Sequence, residues 1–353
     1  DFPLGIPNFE MLHSTTIALM IIRLSILPIF LLFSAILPYS LPAQCIKGDC
    51  RGGKGTYAFP NGDRYVGFWF DNDFHGHGVY EYINGDRYEG EWKKGDMHGE
   101  GVFEHANGDT YTGHFKNNDK SGYGVMRLYD GSTYEGYWEE DRPHGEGEWV
   151  YTNGTRLSGE WDHGRLNGYA EYHYDNGDFY QGDYANNQRN GEGRMEYNNG
   201  NIYEGKWKNG RREGQGKMSY LNGMTYEGEW KNSQMSGLGI LNTPTGTRYE
   251  GAIRSGRYHG YGKLIHPNGD VYEGEFVNGR KHGQGTYRYA TGDLYEGQWV
   301  MDQRHGQGTF TYVTGEVYLG QFVSGKPHGQ GTLTKSDGEV VRGQFANGQL
   351  TSQ

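Results

Sequence analysis

The sequence predicts an all-β protein built as a single-layer antiparallel meander of stacked β-hairpins. Three observations predict this fold class: glycine accounts for 61 of 353 residues, the chain repeats every 23 residues from Gly53 onward, and aromatic residues alternate with glycines within each repeat. An alternation with a period of two is the signature of a strand. Glycine does not recur at every third position, which excludes collagen, and an aromatic content of 15% is too high for a disordered chain.

The amino-terminal segment, residues 1–43, is predicted to be a hydrophobic helix that serves as a signal peptide or a membrane anchor. Between Ile17 and Leu41 the chain is almost wholly apolar. Arg23 precedes the apolar core and Ala43 offers a small residue for cleavage, as a secretory signal requires. A run of about 20 residues can also span a bilayer. The segment therefore predicts export to the cell envelope, periplasmic or extracellular, with a single-pass anchored protein as the alternative.

Residues 44–52 form a short leader that contains both cysteines of the chain, Cys45 and Cys50. Two thiols are too few for a disulfide framework or a four-cysteine zinc site. Export would place them in an oxidising compartment, where a local disulfide forms readily. A Cys45–Cys50 bridge and two free thiols are the alternatives.

Residues 53–348 contain thirteen repeats, followed by a tail of residues 349–353. In each repeat, two strands flank a three-residue loop, Pro60-Asn61-Gly62 in the first, which suits a type I turn closed by a glycine in the left-handed conformation. Such a loop places Tyr57 opposite Tyr65, and Gly55 opposite Gly67. Six residues, 70–75, are expected to lead into the next repeat, with Trp69 opposite Gly76.

This register predicts two chemically different faces along the whole sheet. One face carries glycines and rings: the Tyr65 column is tyrosine in eleven of thirteen repeats, and the Trp69 column is aromatic in twelve. The rings are expected to lie over the glycines, because a tyrosine or tryptophan buries roughly 150–250 Å² and this outweighs the weak strand propensity of glycine. The other face carries mostly charged residues and is expected to be solvated.

The two aromatic columns are the candidate binding groove, and the glycine column headed by Gly67 is its structural floor. The candidate binding residues are Tyr65, Trp69, Tyr88, Trp92, Tyr111, Tyr134, Trp138, Tyr203, Trp207, Tyr226, Trp230, Tyr272, Tyr295 and Trp299. The candidate structural glycines are Gly67, Gly90, Gly205, Gly228, Gly274 and Gly297.

Three segments carry a resemblance to a known family: YEGEWKKG at 88–95, YEGKWKNG at 203–210 and YEGEFVNG at 272–279, each followed by a G-x-G segment. They resemble MORN repeats, and the resemblance covers residues 53 to about 348. It implies an elongated, curved single sheet with an aromatic-lined groove. It also implies a scaffold role near membranes or cytoskeletal structures, with phospholipid binding proposed for some members and homodimerisation for others.

No feature of the sequence predicts catalysis, a cofactor or a metal. Seven histidines share one repeat position, but hairpins one repeat apart lie ~10 Å from each other, too far for one ion. The Asn-Gly-Asp turns resemble calcium-binding repeats, yet turn chemistry alone accounts for them. Every acid and hydroxyl has copies at the 23-residue spacing, whereas an active site needs one unique constellation. We therefore expect that the protein is not an enzyme.

These observations predict a non-enzymatic interaction scaffold whose aromatic-glycine groove binds a protein partner or another copy of the chain. The alternative is a module that binds carbohydrate or a phospholipid headgroup, because tyrosine and tryptophan rings stack on sugars and on quaternary amines. A net charge of −11 argues against nucleic acid and favours a neutral or basic partner. Membrane contact through the amino-terminal segment is expected only if that segment is not cleaved.

Overall fold

The computed structural model describes residues 43–352, and these form one antiparallel sheet of 28 strands. Each strand pairs with its neighbours in sequence, from β1 with β2 to β27 with β28. Three strands at the ends of the sheet are short: β1 (Gln44–Gly48), β2 (Lys54–Ala58) and β28 (Gln349–Ser352). The predicted hydrophobic helix lies outside the described residues. The all-β meander is confirmed.

The remaining strands alternate between two lengths. The odd-numbered strands have seven residues: β3 (Arg64–Phe70), β5 (Arg87–Lys93), β7 (Thr110–Lys116), β9 (Thr133–Glu139), β11 (Arg156–Asp162), β13 (Phe179–Ala185), β15 (Ile202–Lys208), β17 (Thr225–Lys231), β19 (Arg248–Arg254), β21 (Val271–Val277), β23 (Leu294–Val300), β25 (Val317–Val323) and β27 (Val340–Ala346). The even-numbered strands have nine: β4 (Asp73–Glu81), β6 (Asp96–Glu104), β8 (Asp119–Arg127), β10 (Arg142–Val150), β12 (Arg165–His173), β14 (Gln188–Glu196), β16 (Arg211–Ser219), β18 (Gln234–Asn242), β20 (Arg257–Ile265), β22 (Arg280–Arg288), β24 (Gln303–Thr311) and β26 (Lys326–Thr334).

The three-residue loops have the predicted geometry. The amide of Phe59 donates to the carbonyl of Asp63 at 2.9 Å, and Gly62 has a φ of 97°, in the left-handed region. Tyr57 opposes Tyr65 and Gly55 opposes Gly67. The first hairpin therefore has the predicted register.

The link between repeats is shorter than the sequence suggested. A two-residue turn, Asp71-Asn72, joins β3 to β4, and both residues have positive φ (51° and 67°), as a type I′ turn requires. Trp69 consequently opposes Phe74, and the prediction that it opposes Gly76 is wrong. A bulge beyond Gly67 restores the pairing of Gly67 with Gly78. The shift is an even number of residues, so the same side chains stay on the same face.

Both terminal segments extend the sheet. Part of the leader, residues 44–48, forms β1 on the edge of β2, and the tail forms β28 on β27. Cys45 and Cys50 form a disulfide whose Cα atoms lie 5.9 Å apart. No described residue belongs to a helix able to cross a membrane.

Candidate binding face

The tyrosines of the first predicted column lie flat on the sheet above paired glycines. A Cβ on Gly78 would lie 2.6 Å from Cζ of Tyr65, so only glycine leaves room for the ring. The Tyr65 hydroxyl donates to the carbonyl of Phe68 at 2.9 Å, and the same bond recurs from Tyr203 to Lys206. Burial raises the pKa of these phenols well above the usual value. The predicted seating of rings on glycines is confirmed.

The second column interlocks with the first through edge-to-face contacts. The rings of Tyr88 and Trp92 lie 5.0 Å apart at 87°, and those of Tyr65 and Trp92 lie 5.5 Å apart at 87°. The Trp92 indole also donates to the carbonyl of Gly78 on the adjacent strand, β4, at 3.2 Å. Edge-to-face pairs contribute about 0.5–1.5 kcal/mol each beyond area burial. The ring contact therefore ties each repeat to the preceding one, and the hydrogen bond ties the two strands of one repeat together.

The two interlocked aromatic columns form a ladder of rings, and all fourteen predicted binding residues are buried in it. Their hydroxyls and most of their indole N–H groups are satisfied within the sheet; Trp69 Nε1, in the first repeat, has no partner among the described residues. Direct contact of these rings with a ligand stays a prediction. The side chains that cover them are the ones a ligand would meet first.

The face of the sheet that carries the two buried aromatic columns is called the ring face. One of its borders is a row of half-buried aromatic residues, which we call the tyrosine rim. Its members precede the three-residue loops: Phe59, Tyr82, Tyr151, Tyr174, Tyr197, Tyr220, Tyr289 and Tyr312. Burial raises the pKa of Tyr82 to about 12, and it raises the pKa of Tyr220 in the same direction. This column was not among the predicted binding residues, although it too repeats every 23 residues.

The opposite border carries five basic side chains, which we call the cationic row. Their charged groups lie over the buried rings: the Arg212 guanidinium carbon is 4.5 Å from the Trp230 ring centroid, and the Lys281 Nζ is 4.8 Å from that of Trp299. The members are Lys120, Arg189, Arg212, Lys281 and Arg304. Such cation–π contacts contribute about 0.5–2 kcal/mol. The ring face thus presents positive charge, although the chain as a whole is acidic.

Desolvation lowers the pKa of the Lys281 ammonium, although the nearby carboxylates Asp302 and Asp270 act in the opposite direction. The Arg212 guanidinium donates to the carbonyl of Ser233 at 2.9 Å, and that of Arg304 donates to the carbonyl of Gly325 at 2.6 Å. These bonds fix the guanidinium planes over the rings.

One strand pair, β11 and β12, replaces both the tyrosine and a facing glycine. Leu157 stands in the tyrosine column and Ala170 in the glycine column, and both are buried. They lie on paired strands, with Gly159 opposite Ala170. Leucine has no ring to cover the glycine position, so the alanine methyl fits where elsewhere it would overlap a tyrosine.

The turn aspartates form hydrogen bonds between successive repeats. The amide of Ile83 donates to Asp63 at 2.8 Å, and the amide of Ala290 donates to Asp270 at 2.8 Å. Burial of Asp63 favours its neutral form, but hydrogen bonds from Ile83, Tyr80 and Asn61 outweigh it and lower the pKa of its carboxyl. These bonds give the Asn-Gly-Asp turns a structural role that needs no cation.

The outer face is mostly polar, as predicted, but it also exposes rings. Tyr123 and Tyr137 are paired across β8 and β9, and their rings lie 5.6 Å apart. Tyr169 and Tyr261 are exposed on the same face. These exposed rings were not predicted from the sequence, which indicated a charged surface here.

A family model identifies the chain. The MORN repeat model matches thirteen consecutive segments: residues 49–64, 65–87, 88–110, 111–133, 134–156, 158–179, 180–202, 203–225, 226–248, 249–271, 272–294, 295–317 and 318–340. The chain belongs to the MORN repeat family. Its MORN repeats supply the sheet, the buried ladder and both borders of the ring face. No match was found among curated proteins.

Two solved structures are similar to parts of the MORN array. One is the TCP10 domain of Danio rerio CPAP in complex with a peptide of STIL, at 16% identity and a TM-score of 0.35, covering 65% of this chain and 97% of that one. The other is virginiamycin B lyase from Staphylococcus aureus, at 10% identity and a TM-score of 0.14, covering 85% of this chain and 97% of that one. TM-scores this low do not establish a common fold.

Proposed function

We propose that this protein is a non-enzymatic scaffold that binds a segment of a partner protein along its ring face. The observation that carries the proposal is the composition of that face: a repeated floor of buried rings with the tyrosine rim on one border and the cationic row on the other. Aromatic and arginine side chains are the residues that dominate binding energy at protein interfaces. A MORN array without a catalytic constellation fits the role of an interaction module.

The charge of the face favours a segment that carries carboxylates or a carbonyl-rich extended backbone. Arg212 and Arg304 each use part of the guanidinium on a turn carbonyl, and each has further N–H donors. Arg189 and Arg212 occupy successive repeats, as do Lys281 and Arg304, so an extended segment would meet cationic donors in two consecutive repeats at each pair. A second copy of the chain is the other occupant, since an acidic surface of one copy could meet the cationic row of another.

A second candidate function is binding of an anionic phospholipid headgroup. The same cationic row supports it, because lysine and arginine side chains attract anionic headgroups. Carbohydrate binding has less support, since the rings that would stack on sugars are buried and the rim rings are half-covered.

We further propose that the protein works in the cell envelope or outside the cell, either released by cleavage or held by a single-pass anchor. The apolar segment between Ile17 and Leu41 supports export. The disulfide between Cys45 and Cys50 supports an oxidising compartment.

The test places a photo-crosslinking phenylalanine analogue in the full chain, expressed in its native host. One variant carries it at Tyr220 on the tyrosine rim, and a matched control carries it at Tyr261, exposed on the outer face. The expected result is one protein crosslinked at Tyr220 and not at Tyr261, with the crosslink lost when Arg212→Ala and Lys281→Ala are added. A crosslink to the chain itself, with a dimer in sedimentation velocity, assigns the face to a second copy.

Equal crosslinking from Tyr220 and Tyr261 would refute the ring face as the docking surface. Flotation with vesicles of phosphatidylserine and phosphatidylcholine distinguishes binding of a phospholipid headgroup from binding of a protein partner. Binding to these vesicles that is lost in the Arg212→Ala Lys281→Ala variant, without a protein crosslink, would replace the protein partner by a headgroup.

A further inference from the structure

Four side chains converge where two neighbouring turns of the sheet meet. Glu139 ends β9, His144 lies at the start of β10, and Asp162 and His163 lie at the turn between β11 and β12. One ligand atom from each of Glu139, His144 and His163 lies within 4.8 Å of the other two. The turns are already stacked, since the amide of Gly164 donates to the carbonyl of Pro143 at 2.7 Å.

The distances suit donors of one metal ion. Nε2 of His144 lies 3.3 Å from Oε2 of Glu139. Two ligands of one tetrahedral zinc ion lie roughly 3.4 Å apart when each bond is about 2.1 Å. Nδ1 of His163 lies 2.6 Å from Oδ1 of Asp162. This bond leaves Nε2 of His163 to face an ion, in the carboxylate-histidine arrangement that orients metal ligands.

The histidine column itself shows that this cluster is not a property of the repeat. His144 is one of seven histidines at the same repeat position, and only there does a glutamate precede by five residues and a histidine follow by nineteen. At His98 the corresponding residues are Lys93 and Asn117, and at His259 they are Arg254 and Asn278. Lys93 and Arg254 would each place a cation where the proposed site has the carboxylate of Glu139.

One buried polar atom of the cluster has no hydrogen-bond partner among the described residues. Nδ1 of His144 is buried without a hydrogen-bond partner, 3.8 Å from Oδ1 of Asp162. Arg142 and Arg165 oppose Glu139 and Asp162 across their hairpins, but neither arginine forms an ion pair with these carboxylates among residues 43–352. The two carboxylates therefore face the imidazoles.

We propose that Glu139, His144 and His163 bind a divalent transition-metal ion of the zinc class, with Asp162 orienting His163. Two imidazole nitrogens and a carboxylate oxygen are donors that zinc accepts, and water completes the tetrahedron. The ion links the turn after β9 to the turn after β11 and so joins two successive repeats. This site was missed in the sequence because histidines of one column are too far apart, whereas the structure pairs His144 with a turn histidine of the next repeat.

The test titrates ZnCl₂ into the untagged full chain against a chromogenic chelator. The repeats supply the substitutions: His163→Asn introduces the residue that other repeats carry at the left-handed turn position, and His144→Asn introduces the residue at Asn167 and Asn190. We expect one Zn²⁺ per chain, with at least tenfold weaker binding in either variant and in Glu139→Gln. The control variants His98→Asn and His259→Asn should bind as the wild type does.

Two further measurements separate a built site from loose surface binding. Co²⁺ in place of Zn²⁺ should give the intense visible bands of a four-coordinate site, and these should vanish in His163→Asn while the circular dichroism of the sheet is unchanged. Zn²⁺ should also raise the melting temperature of the wild type and not that of His144→Asn. Absence of stoichiometric binding, or equal loss in His98→Asn, would overturn the proposal.

Discussion

Replacing Gly216 by alanine tests whether the rings hold the single layer together. Gly216 lies in β16 beneath the ring of Tyr203, and an added Cβ would be 2.6 Å from Cζ of that ring. The ring cannot move away freely, because it is fully buried and its hydroxyl donates to the carbonyl of Lys206 at 2.9 Å.

The expected change in the free energy of unfolding is the balance of opposing contributions. Alanine is favoured over glycine in a strand by roughly 0.5–1 kcal/mol, because it restricts the unfolded chain. Overpacking of a close-packed site costs about 1–3 kcal/mol, and a displaced hydroxyl loses a hydrogen bond of about 1 kcal/mol. We therefore expect a net loss of about 2 kcal/mol.

The repeat with Leu157 supplies the matched control. Ala170 occupies the same column as Gly216, but no tyrosine covers it. Ala170→Gly removes a buried methyl group and introduces a flexible residue, so it should also destabilise, by about 1–2 kcal/mol. Leu157→Tyr should be destabilising beside Ala170 and should recover in the double variant Leu157→Tyr Ala170→Gly.

Amide hydrogen exchange measured by mass spectrometry reports these effects strand by strand, together with the urea midpoint. Gly216→Ala should accelerate exchange in β15 and β16, and the Leu157–Ala170 cycle should show a coupling of at least 1 kcal/mol. A neutral or stabilising Gly216→Ala, or additive effects in the cycle, would refute the reasoning that rings require bare backbone.

Three other predictions concern charge, ionisation and the edge of the sheet. Hydrogen bonds from Ala290 and Tyr287 lower the pKa of Asp270, so its contribution is full above the unfolded pKa of about 4 and is lost as the pH falls through the folded value. Asp270→Ala should therefore lower the urea midpoint at pH 7 but not at pH 2, and an equal difference at both would contradict this. Burial raises the pKa of the ladder tyrosines, to about 12 for Tyr226, so their stabilisation is complete below about pH 10 and is lost as the pH rises through the folded values. The absorbance change at 295 nm that comes from the buried ladder tyrosines should then coincide with the loss of circular dichroism, whereas ionisation of the ladder tyrosines in a folded sheet would disprove the prediction. Reduction of the Cys45–Cys50 bridge should speed exchange in β1 and β2 and leave β16 unchanged, because β1 pairs only with β2; faster exchange throughout would show longer-range coupling.

The 23-residue repeat made the two faces of the sheet predictable from the sequence. The geometry of the turns between repeats was not predictable in this way. Tyr65 and Gly67 share a parity that survives any even shift of register, so their face followed from the sequence. The position of Trp69 opposite Phe74 did not, since Asp71 and Asn72 adopt left-handed conformations that their types permit but do not require.

Only part of the candidate binding face could be predicted from the sequence, for a related reason. The glycine and ring columns recur in nearly every repeat, whereas the cationic row occurs in five repeats. The consensus sequence of the repeat therefore does not show the cationic row. Arg212 and Lys281 are recognisable as part of the ring face only once the turns fix their strand register. The His144–His163 cluster depends on contact between turns of successive repeats, which no single repeat contains.

Pairing of each strand only with its sequence neighbours sets how the array would respond to tension. The first and last strands occupy the two free edges, so a pull between the chain ends would act along the hydrogen bonds that join successive strands. Such bonds give way in sequence, because each strand of residues 43–352 pairs only with its neighbours along the chain. We expect extension under force in steps of one repeat, as in a spring whose coils open individually and close again when the force is removed.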